Sequence, residues 1–385
     1  MATVKEVFTK AGGDLDARVI LEHVMGFKSM QLPLHLDDEV SDSQTTRFFE
    51  LMEERRGGKP VAHMVGFKEF MSTRFEVNPN VLVPRPETEF LVEEAIQFLE
   101  KRDSVQVLDI GTGSGCIAIS VAKQLEGEKA LHVIGIDISA EALKTARDNA
   151  RNLGVNNVNF VHVDMMQLSE SDKISLINQG DIRQEKCRKN IEKENYGNII
   201  PNMICKGKAD GLADMSKVPK DTQFDAILSN PPYIPTADID GLMCDVRDFE
   251  PHTALDGGAD GLDYVRKIVD LAVGAKSESA TIDENIKIAE NAMDNVDYHG
   301  TADLPNAKTV ETMEQRGYLK VGGMLALEIG HDQAKETLAI MRGALSMGET
   351  TDVSNGELLA GSHFETYTIK DLAGIERIVV GIRLR

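Results

Sequence analysis

Apolar positions along this chain follow two rhythms, and the change from one to the other divides it. Over residues 1–60 the rhythm is helical. Ala17, Ile20, Leu21 and Val24 fall at i, i+3, i+4 and i+7, and Gly26 follows as a stop. A second helix is predicted over Ser43 to Arg56, with Phe48, Leu51 and Met52 on one side and Gly57-Gly58 beyond it. Val61 to Phe70 and Arg74 to Val83 are short β-type runs, so a hairpin bridging two domains is expected over 61–84. Pro84-Arg85-Pro86-Glu87-Thr88-Glu89 then leads into an amphipathic helix carrying Leu91, Ala95, Phe98 and Leu99.

From residue 105 strands and helices alternate. Strands are predicted at Val105–Ile110, Leu131–Asp137, Val158–Val163, Phe224–Ser229 and Met324–Ile329. Helices are expected over Ser114–Gln124 and over Ser139–Leu153, the latter with Ser139 as N-cap and Gly154 as stop. Phe364–Ile369 and Arg377–Ile382 close the chain as an antiparallel pair. A βαβ alternation of this kind gives an α/β fold with a mostly parallel sheet and helices on both faces. Two polar, weakly periodic stretches, 166–222 and 276–316, interrupt it; they read as surface insertions, the second with a helix at Ile282 to Met293.

Charge and composition narrow the partners. Of 385 residues 42% are hydrophobic and 27% charged, the balance of an ordinary globular protein. A net charge of −21 repels phosphate backbones and makes nucleic acid an unlikely partner. The densest basic stretch, Arg183 to Lys193, is diluted by Glu185 and Glu192. Cys116, Cys187, Cys205 and Cys244 lack the spacing of a zinc site or a disulfide framework, which fits a reducing compartment. No apolar run approaches the roughly 20 residues of a membrane span. The acidic N-terminus resembles neither a secretory signal nor an Arg-rich transit peptide, so a cytoplasmic protein is expected, with an organellar one as the alternative.

Two loops carry the chemistry. In Asp109-Ile110-Gly111-Thr112-Gly113-Ser114-Gly115, glycines at alternate positions let the backbone turn tightly at the start of a helix. Gly113-Ser114-Gly115-Cys116-Ile117-Ala118 satisfies the weak dinucleotide pattern G-x-G-x-x-A, and Asp109, Gly111, Gly113 and Gly115 satisfy the acid-G-x-G-x-G of an S-adenosylmethionine site. Asp109 favours the second, since a carboxylate there would repel a pyrophosphate. The next two strands also end in acids: Asp137, positioned for ribose hydroxyls, and Asp164, which with Met165 could frame an adenine. The other loop is Asn230-Pro231-Pro232-Tyr233, after an apolar strand. Two prolines cannot continue a sheet, but they stiffen a loop that offers carbonyl acceptors beside an aromatic ring. Such a loop suits a planar amide or amine.

Together these residues resemble class I methyltransferases, specifically the HemK/PrmC-type protein-(glutamine-N5) methyltransferases. The resemblance covers most of the chain outside the two insertions. Asp16-Ala17-Arg18, Pro60-Val61-Ala62, Pro84 to Glu89, Asp109 to Gly115, Asn230 to Tyr233, Phe249-Glu250-Pro251, Gly257-Gly258 and Glu328-Ile329-Gly330 carry it. It implies a Rossmann-like seven-stranded sheet, mostly parallel with a C-terminal antiparallel strand. A helical substrate-docking domain (1–60), a hairpin linker (61–84) and a methyltransferase domain (85–385) are implied with it.

The implied activity is methylation of the glutamine in the Gly-Gly-Gln motif of a class 1 peptide-chain release factor. S-adenosylmethionine would be held by Asp109, Gly111, Thr112, Gly113, Ser114, Gly115, Asp137, Asp164, Met165 and Asn230. Asn230, Pro231, Pro232 and Tyr233 would do the chemistry and, with Arg85 and Glu87, hold the substrate. The Asn230 oxygen and the Pro231 carbonyl would accept the two N–H bonds of the amide, and no histidine, cysteine or metal is expected in the step. An adenine-N6 methyltransferase on DNA or RNA shares the Asn-Pro-Pro-Tyr loop and stands as the alternative. A nicotinamide oxidoreductase and a non-catalytic binding module are weaker rivals, and the oligomeric state is unreadable.

Overall fold

The computed structural model describes residues 2–28, 30–127, 130–168, 223–274, 317–343 and 362–384. The insertion expected at 276–316, with its helix at 282–293, lies outside the described residues, as does the one at 166–222 apart from residues 166–168.

The N-terminal part is helical, as the periodicity requires. Strand β1 (Ala2–Thr3) precedes helices α1 (Val4–Lys10) and α2 (Leu15–Met25). Strand β2 (Glu39–Val40) pairs back on β1, and α3 (Asp42–Arg56) follows. The ends of α2 and α3 are set by local chemistry. Asp14 accepts from the Ala17 N–H at 2.8 Å, and Ser41 and Gln44 form a reciprocal capping box. Ile20, Leu21, Phe48 and Leu51 bury one shared core between α2 and α3. The end of α3 touches the segment beyond the Asn-Pro-Pro-Tyr loop: Arg55 lies 3.9 Å from Asp245, and Gly58 packs against the Cys244 sulfur.

The linker departs from expectation. Val61–Val65 is a helix, α4, not a strand. Its valines favour a sheet locally, but Pro60 starts it, a left-handed Gly66 ends it, and Val61 and Met64 pack on the N-terminal core. The hairpin is shorter than predicted, with β3 (Phe67–Phe70) antiparallel to β4 (Thr73–Glu76).

Helix α5 (Glu87–Leu99) leads into the alternating region: β5 (Ser104–Ile110), α6 (Cys116–Gln124), β6 (Ala130–Asp137), α7 (Ala140–Asn152), β7 (Val158–His162) and β8 (Phe224–Ser229). Helix α8 (Asp263–Val273), β9 (Leu319–Glu328), α9 (Ala334–Arg342), β10 (Phe364–Lys370) and β11 (Glu376–Arg383) complete it. The seven strands form one sheet in the order β10-β11-β9-β8-β5-β6-β7. Neighbours from β9 to β7 are parallel, whereas β11 runs antiparallel to both β9 and β10. This is the predicted sheet.

Side chains alternate across it. Val107, Val133, Leu228 and Ala326 face the core shared with α5, α6 and α7, while Leu108, Ile134, Ile227 and Leu327 face that shared with α8 and α9. Burying both faces leaves one edge for ligands, where the parallel strands end.

Candidate active site

Register brings the strand ends together. Ile110 pairs with Ile136 on one side and Ser229 on the other, Asp137 with His162, and Ser229 with Leu327. The glycine loop, Asp137, Asp164, Asn230 and Glu328 therefore emerge along a single edge.

The glycine loop is stitched to β6 through the Ile136 carbonyl, which accepts from the N–H groups of Gly111 and Thr112 at 2.9 Å each. Asp109 is fully buried beneath the loop. One of its oxygens accepts from the Thr112 hydroxyl at 2.6 Å and the Ala118 N–H at 3.2 Å. It thus ties Thr112 and helix α6, and not the glycine N–H groups. Burial pushes its carboxyl up to about 7, against the two hydrogen bonds. Gly115 has a packing reason to be glycine: a Cβ there would meet Ile119 at 2.8 Å and Ala146 at 3.1 Å.

Asp137 lies in front of the loop. It accepts from the Gly113 N–H at 2.9 Å and the Ser139 N–H at 2.8 Å, while burial raises its pKa above the usual carboxylate value. Asp164 accepts from the Met166 N–H at 3.0 Å and caps the short turn that holds Met165 in the core. A cleft of about 780 Å³, counted with its mouth, opens between these groups. Gly111, Gly113, Asp137, Asp164, Met165, Asn230, Pro231 and Pro232 line it, whereas Asp109, Thr112, Ser114 and Gly115 lie beneath and do not.

The Asn-Pro-Pro-Tyr loop is held from several sides. The Ser229 hydroxyl donates to the Ile110 carbonyl at 2.7 Å, and the Gln333 amide donates to the Tyr233 carbonyl at 2.8 Å. The Ile234 N–H donates to the Leu255 carbonyl at 3.0 Å and the Gly257 N–H to the Ile234 carbonyl at 2.8 Å, which lays the loop along 255–257. A Cβ on Gly257 would stand 2.8 Å from the Pro232 carbonyl, so glycine permits this close approach. The Asn230 side-chain nitrogen donates to the Thr88 hydroxyl at 3.2 Å, and Thr88 donates to Glu328 at 2.6 Å. Burial pushes Glu328 up to about 7 and, with the Glu328 charge adding to it, raises Tyr233 above its ordinary value.

A smaller cavity of about 340 Å³ is lined by Leu82, Arg85, Asn230, Tyr233, Ile234, Ala254 and Leu255. Arg85 reaches from it to the buried Glu250 at 2.5 Å. Glu87 lines neither cavity. Asn230 borders both, with Leu82 and Ala254.

Several residues of the site escape a reading of single motifs. Thr88 and Glu328 stand 240 positions apart, and only the fold brings them together. Asn80, Val81, Leu82 and Tyr264 wall the large cleft with no motif of their own. The signal that could have found Thr88 and Glu328 is that each lies in a motif carrying the family resemblance but has no other evident partner.

Comparison with known proteins bears on the whole chain. The model of a PrmC N-terminal domain matches residues 5–66, and that of a methyltransferase domain matches residues 101–217. The release factor glutamine methyltransferase of Rhodopirellula baltica is 36% identical over 275 residues, 70% of this chain and 76% of that protein. The enzyme of the same name from Moorella thermoacetica is 31% identical, covering 85% of this chain and 82% of its own. That of Caulobacter vibrioides is 30% identical over 370 residues, 96% of this chain and 89% of its own length. Similarity that runs through both the helical N-terminal part and the strand-end loops leaves one conclusion: the chain belongs to the release factor glutamine methyltransferase family.

Proposed function

We propose that this protein transfers a methyl group from S-adenosylmethionine to the side-chain nitrogen of the glutamine in the Gly-Gly-Gln motif of a class 1 release factor. The observation that carries the reading is the position of Asn230 on the shared border of the two cavities. The large cleft suits the cofactor. Glycine at 111 and 113 keeps side chains off its floor, and Asp137 offers a carboxylate for ribose hydroxyls. Val163, Met165 and Tyr264 give it an apolar flank for the adenine. S-adenosylmethionine supplies an electrophilic methyl group on a sulfonium.

The protein's own task is to aim a poor nucleophile. An amide nitrogen is weak because its lone pair is delocalised into the carbonyl. The Asn230 oxygen and the Pro231 carbonyl accept its two N–H bonds, which raises electron density on nitrogen and fixes its direction. The prolines and the Gln333 tether keep those acceptors from swinging. Tyr233 and Arg85 line the smaller cavity, where the glutamine side chain is received. The proton leaves after transfer, so no strong base is needed.

Residues 1–60 serve as the docking domain. The contacts of Arg55 and Gly58 with Asp245 and Cys244 bring a partner held there close to the Asn230 loop. The reading carries with it a compartment where translation terminates, the cytoplasm or an organelle. The N-terminal domain and the net charge of −21 count against DNA or RNA as the substrate. No described helix is long and apolar enough to cross a membrane.

The test is incubation with labelled S-adenosylmethionine and either a release factor or duplex DNA. Label should appear on the release factor and vanish with Asn230→Ala, while cofactor affinity stays largely intact. Label on DNA alone, or full activity of Asn230→Ala, refutes the reading.

A further inference from the structure

We propose that Thr88 and Glu328 form a positioning relay that decides which end of the Asn230 amide faces the substrate. The inference rests on the reading of Asn230 as the acceptor for the glutamine amide. Asparagine is useful there only if its oxygen points at the substrate; turned over, it would present N–H to N–H. The two ends of an amide are nearly the same size, so packing alone does not choose between them. A hydrogen-bonding partner must.

Among the described residues the Asn230 side chain has one hydrogen-bond partner, the Thr88 hydroxyl at 3.2 Å. A threonine hydroxyl has a single proton and could either donate to Asn230 or accept from it. Glu328 removes the choice. Its carboxylate stands 2.6 Å from the same hydroxyl and can only accept, so it takes the proton. Thr88 is then left as an acceptor, the Asn230 nitrogen turns toward it, and the oxygen turns to the substrate. Both relay residues are 2% exposed, so water does not compete for the bond between them.

The relay has a built-in pH dependence. The groups facing Glu328 are Thr88 and Glu87 from α5, Arg85 before it, Arg377 from β11, Tyr233 from the loop and Cys116 on α6. Burial is the largest influence and pushes the carboxyl up to about 7; Glu87 adds to this, while the Thr88 hydrogen bond, Arg85 and Arg377 oppose it. The Cys116 thiol, pushed up to about 12 by burial, stays neutral in this range. Once protonated, Glu328 can donate to Thr88, which frees the Thr88 proton for the Asn230 oxygen. The amide then turns over, so turnover should rise as pH climbs through about 7.

Steady-state kinetics of the full-length protein with a release factor tests this. Thr88→Val should lower kcat about tenfold with the KM for S-adenosylmethionine within about twofold, the pattern of a lost transition-state interaction. Thr88→Ser, which keeps the hydroxyl, should stay within about threefold of the parent. Glu328→Gln can offer Thr88 either end of its amide, so it should lower kcat and flatten the limb near pH 7. Equal losses in Thr88→Val and Thr88→Ser would mean that the hydroxyl counts for no more than the methyl, which overturns the relay. So would Glu328→Gln keeping the parent's pH profile, and that outcome decides even if Thr88→Val does not fold. The failure of the underlying reading looks different: Asn230→Ala itself would then be active. An inactive Asn230→Ala beside parent-like Thr88 and Glu328 variants refutes the relay alone.

Discussion

Asn149 pairs with the backbone of Glu76 as a neighbouring strand would. Its side-chain oxygen accepts the Glu76 N–H at 2.7 Å, and its amide donates to the Glu76 carbonyl at 3.0 Å. The same amide group also donates to the Ser114 carbonyl at 2.9 Å, in the glycine loop. One buried side chain on α7 thus joins the linker hairpin to the cofactor loop. Two residues beyond Glu76, Asn78 adds a second tie by donating to Thr145 at 2.9 Å.

Asn149→Ala strands the Ser114 carbonyl in a buried place and the Glu76 N–H and carbonyl in a partly buried one. A loss of about 2–4 kcal/mol in folding stability is expected, since each abandoned buried group costs roughly 1–3 kcal/mol before relaxation. Because Asn80, Val81 and Leu82 wall the cleft just past this tie, cofactor affinity should fall as well. Denaturant titration and calorimetry check both; a stable variant with parent-like affinity refutes the tie.

How much of this the sequence disclosed depends on the range of the interaction. Helix ends written in local chemistry were legible: Ser139 caps α7 and Gly154 follows its end, and Gly26 closes α2 in a left-handed conformation. The order of strands and the acids at their ends were legible too, because a buried parallel strand writes its apolar run directly. Val61–Val65 misled because β-branched residues signal a strand, and only packing on the N-terminal core makes the segment helical. The β1–β2 pair, two residues a side, is too short to carry any period. In the glycine loop the pattern marked the whole stretch alike. Geometry divides it into Gly111 and Gly113, which face the cleft, and Asp109, Thr112, Ser114 and Gly115, which hold the loop from below. Gln333 reaching Tyr233 across 100 positions leaves no trace in either segment.

Arg85 and Glu250 give a second stability test. The Glu250 carboxylate is buried, accepts from the Val83 N–H at 3.3 Å, and is held above its ordinary pKa by burial, with the Arg85 charge opposing. Arg85→Ala leaves that charge without its partner and should cost roughly 2–4 kcal/mol at pH 8, discounted because Arg85 itself is partly solvated. An unpaired buried carboxyl can escape the penalty by binding a proton, so the loss should shrink toward pH 5. Adding Glu250→Gln should recover part of it. A loss that is independent of pH and of the second substitution rules the account out.

Asp137 is where cofactor recognition is most exposed to test. Its carboxylate is already oriented by two N–H groups, Gly113 and Ser139, and it lines the cleft. If it holds the ribose hydroxyls, Asp137→Ala should weaken S-adenosylmethionine binding by roughly ten- to a hundredfold, the worth of hydrogen bonds to a charged group. Asp137→Asn, which can still accept one bond, should fall between. Unchanged affinity by calorimetry removes the ribose assignment.

Asp109 ties stability to pH in a direction opposite to that of a salt-bridged acid. Its carboxyl ordinarily titrates near 3.8 and is pushed up to about 7 by complete burial, against the Thr112 and Ala118 hydrogen bonds. The folded protein therefore binds this proton more tightly than the unfolded chain does. The contribution is fully present below the unfolded pKa, declines as pH rises, and is gone above about 7. Asp109→Asn keeps an oxygen for Thr112 and Ala118 but carries no charge at any pH. Its other end replaces an oxygen that is buried and has no partner among the described residues. Relative to the parent, Asp109→Asn should gain stability as pH goes from about 5 to about 8, by about 2–4 kcal/mol over the range if the shift is fully expressed. Thermal denaturation of both proteins across that range, without cofactor, measures the difference. A difference that stays constant, or that moves in the parent's favour toward pH 8, would show that the buried carboxylate is stabilised by more than the two bonds it makes here.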